Sequence, residues 1–185
     1  MIRRPPRPPL FPYTTLFRSH LNPKVVDGAN RFTWLGTTRR FPAFTFYFKE
    51  NEHGLFRVHA YNYDSEHSTF IVECTEETCK KAGLISASED DTVAYCEALF
   101  AEELEGHGLI KNRSLWRSFP DVSNENWFHN NLVLVGDAAH TAHFSVGSGT
   151  KLAMEDIIAL VSAMEEHDDM KVALQAYEDG RRPEV

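Results

Sequence analysis

The chain has 185 residues, 42% of them hydrophobic and 25% charged, the make-up of an ordinary soluble globular protein with one medium domain or parts of two. Its net charge of −8 argues against a surface built to neutralise nucleic-acid phosphates. No apolar run approaches the ~20 residues of a membrane span, so neither a nucleic acid nor a membrane is an expected partner.

Residues 1–19, MIRRPPRPPLFPYTTLFRS, are rich in proline and arginine and hold no acidic residue. No apolar core follows the basic start, so this is not a signal peptide. The segment resembles translated sequencing-adapter sequence and is expected to be non-native and disordered; a natural basic arm is the alternative. Setting aside its four arginines leaves 15 basic against 27 acidic residues, a net charge of −12. Cys74, Cys79 and Cys96 form neither a disulfide framework nor paired metal knuckles. That fits small buried side chains in a reducing, cytoplasmic setting.

Residues 41–74 read as strands. Phe44, Phe46 and Phe48 alternate with Thr45 and Tyr47, and Phe56, Val58 and Ala60 share one face of a second run. Phe70, Ile71 and Val72 form a third. Turn residues at 51–54 and 62–67 separate the runs, which predicts an antiparallel meander with one face packed and one available. Asp27-Gly28 reads as a turn. Ser88, with Asp91 three residues on, predicts a helix start. Val93, Cys96, Phe100 and Leu104 then recur at helical spacing, and Gly106 and Gly108 supply a stop. A short strand over 115–119 is expected to end at Pro120. The polar stretch 121–130 reads as a loop, with a domain boundary between residues 125 and 126.

The last third changes rhythm. Leu132, Val133, Leu134 and Val135 predict a strand buried on both faces. Residues 152–164 predict a helix with Ala153, Ile157, Leu160, Val161 and Met164 on one stripe. Asp168 or Asp169 can cap a final helix whose inner face is Met170, Ala173, Leu174 and Tyr177.

The chemistry lies in NLVLVGDAAHTAHFSVGSGTKLAMEDIIAL, residues 131–160. Gly136 lets another group approach the backbone closely. Asp137 follows at the carboxyl end of a strand, where layered α/β sheets bind ligands, and its carboxylate can accept hydrogen bonds from sugar-like hydroxyls. Gly147, Ser148, Gly149, Thr150 and Lys151 open a helix whose free N–H groups and positive dipole end favour negative charge.

Gly136, Asp137, Ala138, Ala139, His140, Gly147, Gly149 and Asp156 resemble the second FAD motif of the flavoprotein aromatic hydroxylases, the para-hydroxybenzoate hydroxylase family. The resemblance implies an α/β (α+β) fold, here part of a two-domain flavoprotein: residues 20–125 as an antiparallel substrate domain with helices, 126–185 as the C-terminal part of an FAD-binding domain. It implies that Asp137 holds the ribityl chain and that the backbone from Gly147 to Lys151 faces the flavin's pyrimidine side. Phe144 and Lys151 depart from the family's usual proline and asparagine, so the ring pocket can differ. The runs NRFTWLGTTRRFPAFTFYFKENEHGLFRVHAYNYD, STFIVEC and NRSLWRSFP look like the salicyloyl-CoA hydroxylase and 2-aminobenzoyl-CoA monooxygenase group. That implies hydroxylation of an aromatic ring, in this group an aryl-CoA thioester, by dioxygen and NAD(P)H through a C4a-hydroperoxyflavin, in a cytoplasmic protein that can form a homodimer.

The family's opening GxGxxG is absent, so the chain is expected to be truncated at both ends and inactive alone. In this fold the antiparallel sheet roofs the substrate pocket, which makes Trp34, His59 and Tyr61 candidates for it, beside His143 and Phe144; ordinary sheet packing is the competing reading for the first three. No catalytic acid or base stands out. Asp137, His140 and His143 are spaced three apart, but glycine breaks argue for a loop rather than a metal-binding helix, and His140 reads as a packed loop histidine. Arg39 and Arg40 could meet a CoA phosphate or be plain surface charge. A flavin-dependent halogenase or reductase on the same fold, or an inactive binding module, are the alternatives.

Overall fold

The computed structural model describes residues 19–185; the adapter-like segment lies outside the described residues except for Ser19. Two compact units divide the described chain, Asp27–Phe119 on one side and residues 19–26 with Pro120–Val185 on the other.

The 27–119 unit is built on a sheet of order β2-β3-β4-β1-β5, with β6 also pairing β1. The strands are β1 (Pro23–Thr37), β2 (Thr45–Asn51), β3 (Gly54–Asn62), β4 (Ser68–Thr75), β5 (Leu109–Lys111) and β6 (Arg117–Asn124). β2, β3 and β4 form the expected antiparallel meander, with Phe46 opposite His59 and His59 opposite Ile71. Period-2 alternation sorts the side chains: Phe56, Val58 and Ala60 are fully buried, while Phe44 and Phe48 are 55% and 65% exposed. The buried face packs with Phe70, Val72 and Cys74 against Cys79, Cys96 and Leu104 from three helices, α1 (Glu76–Lys81), α2 (Glu89–Leu99) and α3 (Ala101–Leu104), and against Phe100 between the last two. Each buried phenylalanine contributes about 1.5–3 kcal/mol relative to exposure. Ser88 caps α2, its Oγ accepting the Asp91 N–H at 3.1 Å and donating to the Asp91 carboxylate at 2.6 Å. The helical run stops at Glu105 and Gly106, both left-handed, with φ of 51° and 85°. Gly108 instead lets its carbonyl accept from Thr37. All three cysteines are free and buried. Burial pushes the Cys96 thiol up to about 12, and the hydrogen bond with Cys79, helped by burial, pushes Cys74 up.

Several expectations change. Asp27-Gly28 is no turn; it lies within β1, where a side chain on Gly28 would meet the Phe119 carbonyl at 3.0 Å. β1 escaped the sequence because its inward residues, Thr33, Leu35 and Thr37, alternate apolar with buried polar groups. The strand expected to stop at Pro120 runs through it to Asn124, so the stretch 121–130 is only partly loop. Proline is tolerated there because, among the described residues, β6 ladders with β1 alone and is otherwise bonded only further along, at Val122 and Ser123, to residues 140 and 141.

In the second unit β7 (Phe128–His129) and β8 (Leu132–Val133) form a two-residue antiparallel ladder. Leu132, Val133, Leu134 and Val135 are half-buried rather than buried on both faces, because among the described residues β8 has one strand partner. Helices α4 (Gly149–Glu166) and α5 (Met170–Arg181) pack on this segment around Trp127, Ala139, Ala163 and Tyr177. Asp169 caps α5 by accepting the Lys171 and Val172 N–H groups. Ala173, Leu174 and Tyr177 are buried as expected, but Met170 is exposed. The stripe expected on α4 is not its buried side. Asp156 and Ala163 face inward, while Ile157, Val161 and Met164 are exposed, because apolar residues occupy more than one side of this helix.

Candidate functional site

Gly136 begins a short 3-10 turn, Gly136–Ala138, with φ of 56°. A Cβ built there would sit 2.9 Å from the Ala153 Cβ of α4, so the position demands glycine on two grounds, backbone sign and space. The Gly136 N–H donates to the Asp156 carboxylate at 2.8 Å. Asp156 is fully buried, and the same carboxylate meets His140 Nε2 at 2.9 Å and Arg181 Nε at 3.0 Å. Burial raises its affinity for a proton, yet the hydrogen bonds from Gly136, Arg181 and His140 outweigh it and hold the carboxyl below its ordinary range. Asn124 clamps the turn from another side, its amide donating to the Ala138 and Ala139 carbonyls at 2.9 and 2.8 Å. Tyr177 donates to the Leu134 carbonyl at 3.0 Å. His140 lies over Trp127, ring centroids 5.1 Å apart, and is thus the packed loop histidine that the sequence suggested.

What this scaffold presents is Asp137. Its side chain is exposed, and Oδ1 lies 3.8 Å from where a Gly149 Cβ would stand, so the carboxylate sits at the first turn of α4. Ser148 precedes that helix without a side-chain cap, and Gly147 before it is left-handed, with φ of 68°. The amides of Gly149, Thr150 and Lys151 therefore have no intrahelical partner, and the Lys151 side chain turns away to pair with Glu155. A carboxylate that can accept from hydroxyls beside uncapped amides that can donate to carbonyl or anionic oxygens is a donor and acceptor set that fits a ribityl chain and a flavin pyrimidine ring. His143 and Phe144 precede it, ring centroids 4.4 Å apart, with His143 Nδ1 bonded to Ser145 Oγ at 2.7 Å.

The structure thus brings Gly136, Asp137, Gly149 and the start of α4 together. In the other unit Trp34, His59 and Tyr61 share one face of the sheet, opposite the helical core. Trp34 faces Ile71 and Ile71 faces His59 across the strands. Phe44 stacks on Tyr61 at 5.0 Å, and Phe46 lies 4.8 Å from His59. Beneath these rings the fully buried Glu73 carboxylate takes hydrogen bonds from Arg57 and from Asn30 at 2.8 Å, with His59 Nε2 at 3.7 Å. Arg39 is committed to structure, bonding Tyr47, the Glu103 carbonyl and Glu105, and Arg40 bonds the Ser65 carbonyl. Among the described residues no group of three or more His, Cys, Asp or Glu is arranged to hold a metal, and no helix is long and apolar enough to cross a membrane. Sequence reasoning left Arg181, Asn124 and Tyr177 out of the site; Asp156 was visible only as a position of the motif that the segment resembles.

The sequence profile of the FAD binding domain family matches residues 19–185. The chain belongs to that family. It is 41% identical over 182 residues to the salicyloyl-CoA 5-hydroxylase of a Streptomyces species, a match covering 94% of this chain and 35% of the relative. It is 38% identical over 173 residues to the protodeoxyviolaceinate monooxygenase of Chromobacterium violaceum, covering 93% of this chain and 46% of the relative. It is 40% identical over 154 residues to 3-hydroxy-4-methyl-anthranilyl-[aryl-carrier protein] 5-monooxygenase of Streptosporangium sibiricum, covering 83% and 40%. The chain therefore spans less than half the length of each of these relatives. Among solved structures, PqsL, a probable FAD-dependent monooxygenase from Pseudomonas aeruginosa, aligns with a TM-score of 0.58 at 18% identity, covering 86% of this chain and 46% of that one. The flavin-dependent brominase Bmp2 aligns with a TM-score of 0.62 at 14% identity, covering 91% and 46%. These likenesses establish the mixed α/β flavoprotein fold of the FAD binding domain family.

Proposed function

We propose that the whole protein is an FAD-dependent, NAD(P)H-consuming monooxygenase that hydroxylates an aromatic ring carried as a CoA thioester. The observation that carries this reading is the Asp137 carboxylate standing at the uncapped start of α4. FAD, when bound, supplies the activation of dioxygen, which side chains cannot do alone. Asp137 accepts hydrogen bonds from the ribityl hydroxyls. The N–H groups of Gly149, Thr150 and Lys151 donate to the pyrimidine side, and the positive end of the α4 dipole favours negative charge there. Gly136 and Ser148, with Gly147, shape the loop. Asp156 acts through Gly136 and His140 as a positioning residue.

In this reading residues 20–125 form the substrate domain and 126–185 the C-terminal part of the FAD domain. Trp34, His59 and Tyr61 are the candidates for the substrate ring within the 27–119 unit, and in the other unit His143 and Phe144 are candidates for a pocket wall beside the Asp137 site. Two relatives support the thioester: one is named for salicyloyl-CoA and one for an aryl group on a carrier protein. The proposed partners are an aromatic small molecule and dioxygen, in a cytoplasmic homodimer; the three free thiols fit a reducing compartment. The test is the visible spectrum of the purified whole protein with added FAD. Twin flavin bands that come off as FAD on denaturation, together with NAD(P)H oxidation stimulated by an aryl-CoA, are the expected result. A folded, colourless protein that takes up no FAD would sink the reading. Size-exclusion chromatography tests the dimer.

A further inference from the structure

The face of the sheet that carries Trp34 has a groove of about 560 Å³, and of its lining only Trp34 has a role above. Phe32, Trp34, Asn112, Arg113, Leu115 and Arg117 line it. β1 supplies the two aromatic rings, and the segment between β5 and the start of β6 supplies the rest. That segment is fastened down. The buried Ser114 donates from Oγ to the Trp34 carbonyl and from its N–H to Glu89, each at 2.6 Å. Arg113 is held with φ of 55°, a left-handed conformation that costs a non-glycine residue free energy and gathers at ligand-binding positions.

Most arginines of the described residues have a carboxylate partner, although Arg40, which bonds the Ser65 carbonyl, does not. Arg31, Arg39, Arg57, Arg181 and Arg182 each pair with a carboxylate. Arg113 and Arg117 are exposed, and among the described residues neither guanidinium pairs with one; Arg117 makes only a 3.5 Å contact to the Arg113 carbonyl. Acidic side chains outnumber basic ones 27 to 19, so two guanidiniums left beside a half-exposed indole mark an anion-binding place. Guanidinium forks match phosphate oxygens, and an indole face takes a planar base.

Across the neighbouring strands the residues opposite Trp34, Ile71 and then His59, are each only 2% exposed, so the groove ends at the indole. A ligand that takes both guanidiniums and the indole carries phosphate beside a planar base. We propose that this groove binds the phosphate-bearing end of a CoA thioester, with Arg113 and Arg117 on the phosphates and the adenine, rather than the substrate ring, against Trp34. The proposal rests on the aryl-CoA reading above and gives it a location.

Benzoyl-CoA titrated into the purified protein, followed by tryptophan fluorescence, tests it. Wild type is expected to bind, more weakly as salt rises, and R113A/R117A at least tenfold more weakly, with an unchanged circular dichroism melt. Benzoyl-pantetheine, which lacks the phosphates, is expected to bind both proteins weakly and equally. No binding of benzoyl-CoA to wild type, equal binding of benzoyl-CoA and benzoyl-pantetheine, or an unaltered Kd in the double variant overturns the proposal. Flavin uptake measured on the same samples reports separately on the monooxygenase reading, since neither arginine belongs to the Asp137 site.

Discussion

The Asp156 carboxylate accepts the Gly136 N–H at 2.8 Å across twenty residues of chain, which ties the middle of α4 to the turn that presents Asp137. One fully buried carboxylate thereby fixes a backbone turn, a histidine ring and the Arg181 guanidinium at once. Replacing it tests how much of the unit depends on that tie. Asp156→Asn keeps the size but removes the charge, leaving the mostly buried Arg181 facing a neutral group. Breaking a buried pair from one side is strongly destabilising, so a loss of about 3 kcal/mol in urea unfolding is expected. Glu155→Gln, which loses an exposed pair with Lys151 and a long 3.5 Å contact to Arg181, should change stability by no more than about 1 kcal/mol.

The same carboxylate sets an acid limb. Its folded pKa lies below the unfolded value of about 3.9. Its contribution to stability is therefore complete above that value and disappears as pH falls through the folded pKa. Urea midpoints should hold near neutrality and decline below about pH 4. Asp64 and Glu76 are also lowered and add to the decline. The Asp156→Asn protein should show a shallower slope; identical slopes would remove Asp156 from the explanation.

Gly136→Ala meets two separate obstacles. The left-handed backbone costs an L-residue about 1–2 kcal/mol, and the new methyl would stand 2.9 Å from Ala153. Pairing it with Ala153→Gly removes the clash but not the backbone cost. Thermal melts should therefore rank wild type above the double variant and the double variant above Gly136→Ala.

The two faces of the meander should respond differently to the same truncation. Phe56→Ala opens a cavity in a fully buried place and should cost about 3–5 kcal/mol. Phe44→Ala removes a ring that is already half in water and should cost under about 1 kcal/mol in the same denaturant series. Equal losses would mean that the open face is covered.

Asp137→Ala separates binding from folding. The side chain is exposed and, among the described residues, carries no hydrogen bond, so the melt should stay within a degree or two. FAD affinity, read by flavin fluorescence quenching, should fall at least tenfold, as expected when charge-assisted hydrogen bonds are lost.

Much of this was legible in the residues. Strict alternation exposed the meander, and local hydrogen-bonding chemistry gave the Ser88 cap and narrowed the last one to Asp168 or Asp169, of which the structure uses Asp169. The GDAAH segment was recognisable because glycine, carboxylate and helix start must follow one another closely in the chain. Failures came where tertiary context overrides local pattern. β1 hides its inward face behind Thr33 and Thr37. Asp27-Gly28 carries turn chemistry, but the close approach of Phe119 is what requires its glycine. The outward side of α4, with Ile157, Ile158 and Val161, is more apolar than the side that buries Asp156 and Ala163, so hydrophobic pattern pointed to the wrong face. Arg181 could not be tied to Asp156 from sequence, because a surface-type side chain becomes a buried partner only when α5 folds back on α4.

Pro120 lies in a strand whose far end has a second use. Among the described residues Ser123 forms an isolated bridge with His140, and the Val122 carbonyl accepts the Thr141 N–H at 3.0 Å. Thr141 Oγ1 in turn accepts the Val122 N–H at 2.8 Å. The end of β6 is therefore a splint for the residues that follow Asp137, and a change in that strand would be felt at the candidate site as slack in the loop.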